Sequence, residues 1–451
     1  MKFHIVTNVW GTRHVAFFLD VTLRNVLSPG NLPAMGAYGD VTYRIFTTVS
    51  GERQIRDSRY FAALTEVCDV EFVTPLGDRM PDVVWHVHWF HRSAAEAKLA
   101  GACPVFVPPD TLWTDGSLRT FAARLAEGYK GVACPFLLVN SDTLTPSLQA
   151  FEDGAALTID AAEIARLGLQ HLHPLHMLAM PGAPHARPAF EMHRSVDAHT
   201  MVSNYAVREL VAFDPSRCPI TFLWYAGGDA DPDGIYFGDD SDDMLMLSVD
   251  PIGKYPQNYI LNHSLGAIDL ARTSIHPLND TAQTRSFIRK PVRIHSAPAS
   301  APKLRRTEAK AKTAAIEMEA GRRALQLVRE MNQAGARRMA QLLSVAIFET
   351  PILRRWRRDE PLDAIALSDG CFRGDLRVYA DSLVRQGNEP ELMSFLQGLV
   401  VGQKQPGRLQ VGARSVDISW RDDGSLSVAG QVPAHGPIHI EGTRLWILDQ
   451  I

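Results

Sequence analysis

Short apolar segments alternate with amphipathic segments along the first half of the chain, and this alternation constrains the fold most. The segments KFHIVTNVWG, VTYRIFTTVS, DVEFVTPL and CPVFVPP are rich in β-branched and aromatic residues, as strands are. Between them, HVAFFLDVTLRNVLS, SRYFAALTEV and SAAEAKLAGA carry apolar residues at helical spacing. Strands that alternate with helices predict an α/β layer fold around a mostly parallel sheet.

The alternation continues toward residue 290. LRTFAARLAEGYK predicts a helix, and VACPFLLVN predicts one strand. A further helix begins after Asp160, because Glu163 stands three residues later at the capping-box spacing. PITFLWYAGG and MLMLSVDP predict two more strands, which the acidic segment GDADPDGIYFGDDSDD connects as a loop.

Composition changes near residue 290 and predicts four parts. Residues 1–290 form the α/β domain, and RKPVRIHSAPASAPK, rich in Pro, Ala and Ser, makes 291–303 a linker. Residues 304–404 form a basic helical extension. Residues 405–451 form a small antiparallel β unit that turns at Asp423-Gly424.

Charge and cysteine content narrow the functional classes. The net charge of -4 implies no general attraction to nucleic acid. The five scattered cysteines form no CxxC pair, which favours a reducing compartment over a disulfide framework. The chain shows neither a signal-peptide core nor an apolar run of about 18 residues, so we expect a cytoplasmic protein.

The basic segment 303–358 has three interpretations that the sequence leaves open. It is a brace on the first domain, a helix that forms a homo-oligomer, or an amphipathic segment in peripheral contact with anionic lipid.

The segment HVHWFH places His86, His88 and His91 within six residues, and imidazoles bind zinc. It resembles the HxHxDH signature of the metallo-β-lactamases, with Phe90 in the position of the aspartate. The alternative is that these histidines are packing or surface residues.

The following residues, HRSAAEAKLAGACPVFVPPDT, give a polar pair, an Ala-rich helix, a short strand and then Asp110. This order resembles the GT-A glycosyltransferases, or nucleotide-diphospho-sugar transferases. In that family the strand ends in a DxD motif, and Pro108-Pro109-Asp110 resembles a degenerate form of it. The resemblance implies a GT-A-like sheet over residues 1–290 and a Mn²⁺ or Mg²⁺ ion that neutralises the leaving diphosphate.

The same resemblance implies roles for individual residues. The donor, a nucleotide sugar such as a UDP-sugar, would contact Thr7, Asn8, Trp10, Thr48, His91, Arg92 and Asp110. Asp110 and Asp115 would hold the metal. In the segment Asp239–Asp243, Asp240 or Asp242 would accept a proton from the acceptor hydroxyl of a glycan, lipid-linked glycan or protein. His171, His173 and His176 fall where such enzymes shape the acceptor pocket.

Two other functions remain open at this point. In the first, the chain is a glycosyltransferase-like binding or assembly module without activity, and the Pro-Pro-Asp sequence favours this alternative. In the second, it is a zinc metallohydrolase that uses the HxHxxH cluster.

Overall fold

The computed structural model of the chain forms two compact units. The first contains Met1–Leu265 and His276–Lys312, and the second contains Gly266–Ile275 and Thr313–Ile451. The structure describes residues 1–79, 83–183, 191–205, 210–218, 232–254, 271, 286–346, 362–371, 375–383, 391–392, 395–396, 400–402, 407–411, 414–421, 426–428, 435–440 and 443–448.

The described strands lie in both units. They are β1 Lys2–Asn8, β2 Asp40–Phe46, β3 Asp69–Val73, β4 Cys103–Phe106, β5 Thr111–Trp113, β6 Gly131–Ala133, β7 Phe136–Asn140, β8 Glu152–Asp153, β9 Ala156–Leu157, β10 Glu191–Asp197, β11 Thr200–Tyr205, β12 Ala212–Phe213, β13 Ile235–Phe237, β14 Met246–Asp250, β15 Val292–His295, β16 Leu362–Leu367, β17 Val400–Gly402, β18 Gly407–Val411, β19 Arg414–Trp420, β20 Leu426–Val428, β21 His435–Ile440 and β22 Thr443–Leu448.

The described α-helices also lie in both units. They are α1 Thr12–Phe17, α2 Leu23–Val26, α3 Leu32–Met35, α4 Val49–Arg56, α5 Arg59–Val67, α6 Val83–Ala100, α7 Ser117–Ala126, α8 Ser141–Leu144, α9 Ala161–Gln170, α10 Pro174–Met177, α11 Ala301–Gln333, α12 Arg337–Ala346 and α13 Asp375–Leu383. A π-helical turn, Phe18–Thr22, joins α1 to α2 into one run. None of the helices in the described ranges is long and apolar enough to cross a membrane.

A seven-stranded sheet forms the centre of the first unit, in the order β13-β6-β12-β4-β1-β2-β3. Strand β12 is antiparallel to both neighbours, and the other adjacent pairs are parallel. The mostly parallel α/β sheet is therefore confirmed. Strand β1 lies inside it, with Phe3, Ile5 and Val6 fully buried, as expected for a strand covered on both faces.

The direction in which strands are added reverses at β1. The chain builds β2 and β3 on one side of β1, and it then crosses over to place β4 on the other side. In open α/β sheets such a reversal leaves a crevice beyond the carboxyl ends of the two strands, and ligands bind there. The carboxyl ends of β1 and β4 are therefore the candidate location of a binding site.

The segment VACPFLLVN forms two strands, so the prediction of one strand was wrong. Strand β6 belongs to the seven-stranded sheet, whereas β7 pairs with β14 in a second sheet of order β5-β14-β7. Pro135 stands between them and has no amide hydrogen to continue a ladder. The predicted strand MLMLSVDP is present as β14, and PITFLWYAGG lies outside the described residues.

The predicted linker 291–303 contains strand β15 and the beginning of α11. Strand β15 pairs with β11 in a sheet of order β10-β11-β15. The sequence VRIH alternates, with Val292 and Ile294 buried and Arg293 exposed. This period of two is the signal of a half-buried strand, and the surrounding prolines and serines concealed it.

In the second unit, a sheet of order β17-β16-β22-β21 combines strands from both sides of the predicted boundary at 404. This sheet therefore joins strands of the predicted helical extension to strands of the predicted β unit. Strands β18, β19 and β20 do form an antiparallel sheet, while the predicted turn at Asp423-Gly424 lies outside the described residues.

The predicted basic helix is present as α11 and α12. Ala311, Ala315, Met318, Leu327 and Met331 are buried, whereas Ile316 is exposed.

Candidate active site

At the carboxyl ends of β1 and β4, where such a crevice is expected, Asn8 and Trp10 lie at the end of β1 and Asp110 lies after β4. Asn8 ends β1 and is nearly buried, and Trp10 is partly exposed. The Trp10 ring packs edge-on against the buried ring of Trp89 in α6, with 5.2 Å between centroids. A large aromatic surface held in place at a strand end can stack on a flat ligand ring.

Thr7 serves the fold rather than this crevice. Its hydroxyl donates a hydrogen bond to the carbonyl of Val107 at 2.7 Å and lies 2.9 Å from the Tyr43 hydroxyl. The side chain is fully buried. These bonds join β1 to the middle of β2 and to the residue that follows β4, so the hydroxyl is not directed at a ligand.

Thr48 caps the helix that follows β2. Its hydroxyl accepts the amide hydrogen of Gly51 at 3.1 Å, at the N-terminus of α4. A Thr in this position satisfies one of the unpaired amides of a helix. The predicted contact with a base is therefore not needed to explain Thr48, which lies at the same sheet edge as Asn8.

His91 and Arg92 lie on α6, whose range begins at Val83 and includes the HVHWFH segment. Arg92 pairs with Glu96 at 2.7 Å, one helical turn away. Burial lowers the pKa of His91, and the nearby His88 lowers it further. At pH 7 this histidine is neutral, which weakens its predicted attraction to a diphosphate.

The histidine cluster does not form a metal site in the described residues, where His88 and His91 join no group of potential ligands. The HxH spacing suits a strand, where alternate residues share a face. On a helix, residues two apart are separated by about 200° around the axis. The His86 side chain lies outside the described part of the chain.

Asp115 is held within the protein. One carboxylate oxygen, Oδ1, accepts hydrogen bonds from the Ser28 hydroxyl at 2.8 Å and from the Gly30 amide at 2.7 Å. Strand β5 separates Asp115 from Asp110 by on the order of 10 Å. The structure does not bring the two predicted metal ligands together.

Asp110 occupies the turn between β4 and β5 and is partly exposed. Its carbonyl accepts the amide hydrogen of Val249 at 2.8 Å, which fixes the turn against β14. In the described residues Asp110 joins no group of three potential metal ligands, so the predicted Mn²⁺ or Mg²⁺ ion would take its other ligands from water and phosphate. Asp115 does not fit that role.

The acidic segment after β13 lies at the same carboxyl edge, because β13 and β6 run parallel to each other and β6 runs in the direction of β4. Three strand spacings separate β13 from β4, or about 14 Å. His295 Nε2 lies 3.0 Å from Asp240 Oδ1 and 3.8 Å from Asp242 Oδ2. The predicted catalytic acids thus meet a histidine that the sequence did not associate with them.

This acid–histidine cluster (Asp240, Asp242 and His295) rests on a fixed backbone. The Ser241 amide donates to the carbonyl of Arg293, and the Ser241 hydroxyl exchanges hydrogen bonds with the backbone of His295. The Arg293 amide in turn donates to the carbonyl of Asp239. The cluster is partly exposed to solvent, and its three ligand atoms lie within 4.8 Å of one another, so it is also a candidate metal site.

A second candidate metal group is fully internal. His176, Glu191 and His193 are buried, and their ligand atoms also lie within 4.8 Å of one another. Burial, together with the Glu191 carboxylate, holds the pKa of Tyr205 well above its ordinary value.

The three predicted acceptor-pocket histidines have separate surroundings. His171 lies 3.3 Å from the Ser147 hydroxyl, and His173 caps α10 by accepting the Leu175 amide hydrogen. Only His176 joins the internal group.

Sequence reasoning missed His295, Glu191 and His193. A signal existed in both strands, because EMH and VRIH place chemically active residues at alternate positions. Asp240 and His295, however, are more than 50 residues apart in the chain. No local sequence pattern shows that they lie close together in the fold.

A comparison with protein-family models finds no match, and a search of curated proteins finds no relative of the chain.

Proposed function

We propose that the chain transfers a sugar from a nucleotide-diphosphate donor to a hydroxyl group of a glycan, lipid-linked glycan or protein. The observation that supports this proposal is the reversal of strand order at β1, since Trp10 follows β1 and Asp110 follows β4. Ligands of open α/β sheets bind at such a point. The resemblance of the sequence to GT-A enzymes has the same implication.

The donor extends along the carboxyl edge of the sheet. Trp10 stacks on the base, and Asn8 and Thr48 lie at the ends of the two strands beside it. Asp110 faces the diphosphate. A Mn²⁺ or Mg²⁺ ion, when bound, neutralises the negative charge that develops on the leaving diphosphate.

The acid–histidine cluster follows β13, which lies three strands from β4 in the same sheet, and in this proposal the sugar and the acceptor meet beside it. Asp240 accepts the proton of the attacking hydroxyl. His295 holds that carboxylate in place through the 3.0 Å contact. Removing a general base of this kind lowers turnover by a factor of about 10² to 10⁴.

Turnover of UDP-, GDP-, CMP- and dTDP-sugars, with and without Mn²⁺, tests the proposal. Asp240→Asn should bind the donor with unchanged affinity and lose at least about 10²-fold in turnover. Asp142→Asn removes an exposed acid on α8 and serves as the matched control, with turnover unchanged. An equal loss in both variants, or no binding of any nucleotide sugar by the unaltered protein, would refute the proposal.

The degenerate Pro108-Pro109-Asp110 sequence supports one alternative, a binding or assembly module that has lost activity. Donor binding by the unaltered protein with no transfer or hydrolysis of any donor sugar would establish this alternative.

A further inference from the structure

The internal group formed by His176, Glu191 and His193 has a geometry of its own. Glu191 and His193 are two residues apart on β10, and alternate residues of a strand point to the same face. His176 approaches that face from α10, and the His176 and His193 rings stack with 3.8 Å between centroids. The two histidines are fully buried, and Glu191 is 3% exposed.

Neighbouring groups fix the walls of this internal group. His193 Nδ1 lies 2.8 Å from the hydroxyl of Ser203, its partner on the adjacent strand β11. The His193 amide donates to the carbonyl of Ala179, just after α10. The hydroxyl of Tyr205, opposite Glu191, donates to the carbonyl of Phe136 at 2.6 Å. The three candidate ligands are therefore held in place from both strands and from the α10 segment.

Two imidazoles and a carboxylate form the donor set with which zinc is often bound. The Ser203 hydroxyl at His193 Nδ1 is the type of contact that fixes the ring and directs Nε2 to a metal. We propose that His176, Glu191 and His193 bind a divalent transition-metal ion of the zinc type.

One contact changes when the ion binds. The Leu138 amide donates to His176 Nδ1 at 3.3 Å, so in the metal-free protein the neutral ring carries its proton on Nε2. Metal binding at Nε2 moves this proton to Nδ1, and the Leu138 contact opens. The contact is at the long end of hydrogen-bond geometry, so one weak bond is exchanged for a metal–ligand bond.

This internal site differs in chemistry from the proposed donor site, and it does not depend on the proposed transferase function. Nitrogen ligands favour zinc and cobalt over magnesium and manganese, whereas Asp110 offers oxygen to a hard cation. We therefore expect Zn²⁺ and Co²⁺ to bind here in the presence of millimolar Mg²⁺.

The experiment uses the full chain, stripped of metal and dialysed against Zn²⁺ or Co²⁺. We expect one tightly bound zinc per chain, a thermal midpoint several degrees higher with zinc, and the visible absorption of low-coordinate Co²⁺. Glu191→Gln and His193→Gln should each weaken zinc binding at least tenfold. His199→Gln, which changes an exposed histidine in the turn between β10 and β11, should bind as the unaltered protein does.

The acid–histidine cluster is the competing site, so His295→Ala is included. If this variant loses the tight zinc while Glu191→Gln retains it, the assignment is overturned. It is also overturned if the unaltered protein binds no zinc, or binds it without a shift in thermal midpoint. Should His193→Gln fail to fold, the Co²⁺ spectrum of the unaltered protein and the Glu191→Gln affinity decide the question.

Discussion

Replacing Asp115 tests whether its carboxylate stabilises the fold or binds a metal ion. The Asp115 carboxylate joins the end of β5 to the loop after α2 through two hydrogen bonds to one oxygen. The loop approaches closely, since a Cβ on Gly30 would lie 2.7 Å from that oxygen. Asp115→Ala leaves the Ser28 hydroxyl and the Gly30 amide without this acceptor.

The magnitude follows from the two contacts. A hydrogen bond to a charged group contributes about 1.5–3 kcal/mol. Asp115 is partly exposed, so water replaces part of this contribution, and we expect a loss of about 2–4 kcal/mol in the free energy of unfolding. For a unit of this size the loss corresponds to a thermal midpoint about 4–8 °C lower. Asp115→Asn keeps a neutral acceptor and should lose about half as much.

Calorimetric unfolding of both variants, with and without Mn²⁺, measures the effect. We expect the same loss in both conditions, because the carboxylate is occupied by the protein. Asp142→Ala, at an exposed position, should unfold as the unaltered protein does. A variant that unfolds normally without metal but loses a Mn²⁺-dependent gain in midpoint would show that Asp115 is a metal ligand after all.

Two other changes test the interior of the first unit. Thr7→Val removes the buried hydroxyl that donates to Val107. It should lower the free energy of unfolding by about 1–3 kcal/mol and leave nucleotide affinity in calorimetric titrations unchanged. A weaker affinity at normal stability would show that Thr7 belongs to the binding site. Burial and the nearby Arg44 lower the pKa of His4 below its ordinary 6.5. The neutral side chain therefore stabilises the fold above pH 6.5, and this stabilisation is lost as the pH falls through the folded-state pKa. Urea unfolding of His4→Gln should therefore show a smaller loss of stability between pH 6.5 and pH 5, and an unchanged slope would contradict this explanation.

The sequence predicted the elements whose signals are local. Strands β1 to β4 and the helices between them follow from runs of β-branched residues and from helical spacing. Asp160 caps α9, accepting the Glu163 amide hydrogen at 2.8 Å, as its position indicated. Local propensity and tertiary packing agree in these segments.

Elements whose partners are distant in sequence were missed. Strand β13 has three residues, pairs with β6 about a hundred positions earlier, and lies within a run of acids that reads as a loop. Strand β15 is stabilised by β11 rather than by its own composition. The same limitation explains why the acids of the segment Asp239–Asp243 were identified but His295 was not.

For the predicted donor site, too, the sequence indicated what depends on local signals and missed what depends on distant segments. Position in the chain identified which residues lie at the sheet edge, because that follows from where strands end. It did not reveal that Thr7 and Asp115 already have partners, because those partners, Val107 and Ser28, come from other segments. Side-chain hydrogen bonds between distant segments depend on packing, which no spacing encodes.

Calorimetric titration of nucleotide diphosphates into the full chain tests the central claim most directly, because the crevice between β1 and β4 should hold one of them. We expect one of UDP, GDP or dTDP to bind with unit stoichiometry, and Trp10→Ala to weaken that binding about tenfold or more through lost stacking, with its fold intact by circular dichroism. If none of these nucleotides binds the unaltered protein, the crevice is not a nucleotide site. The same conclusion follows if the Trp10→Ala variant binds the nucleotide as tightly as the unaltered protein does.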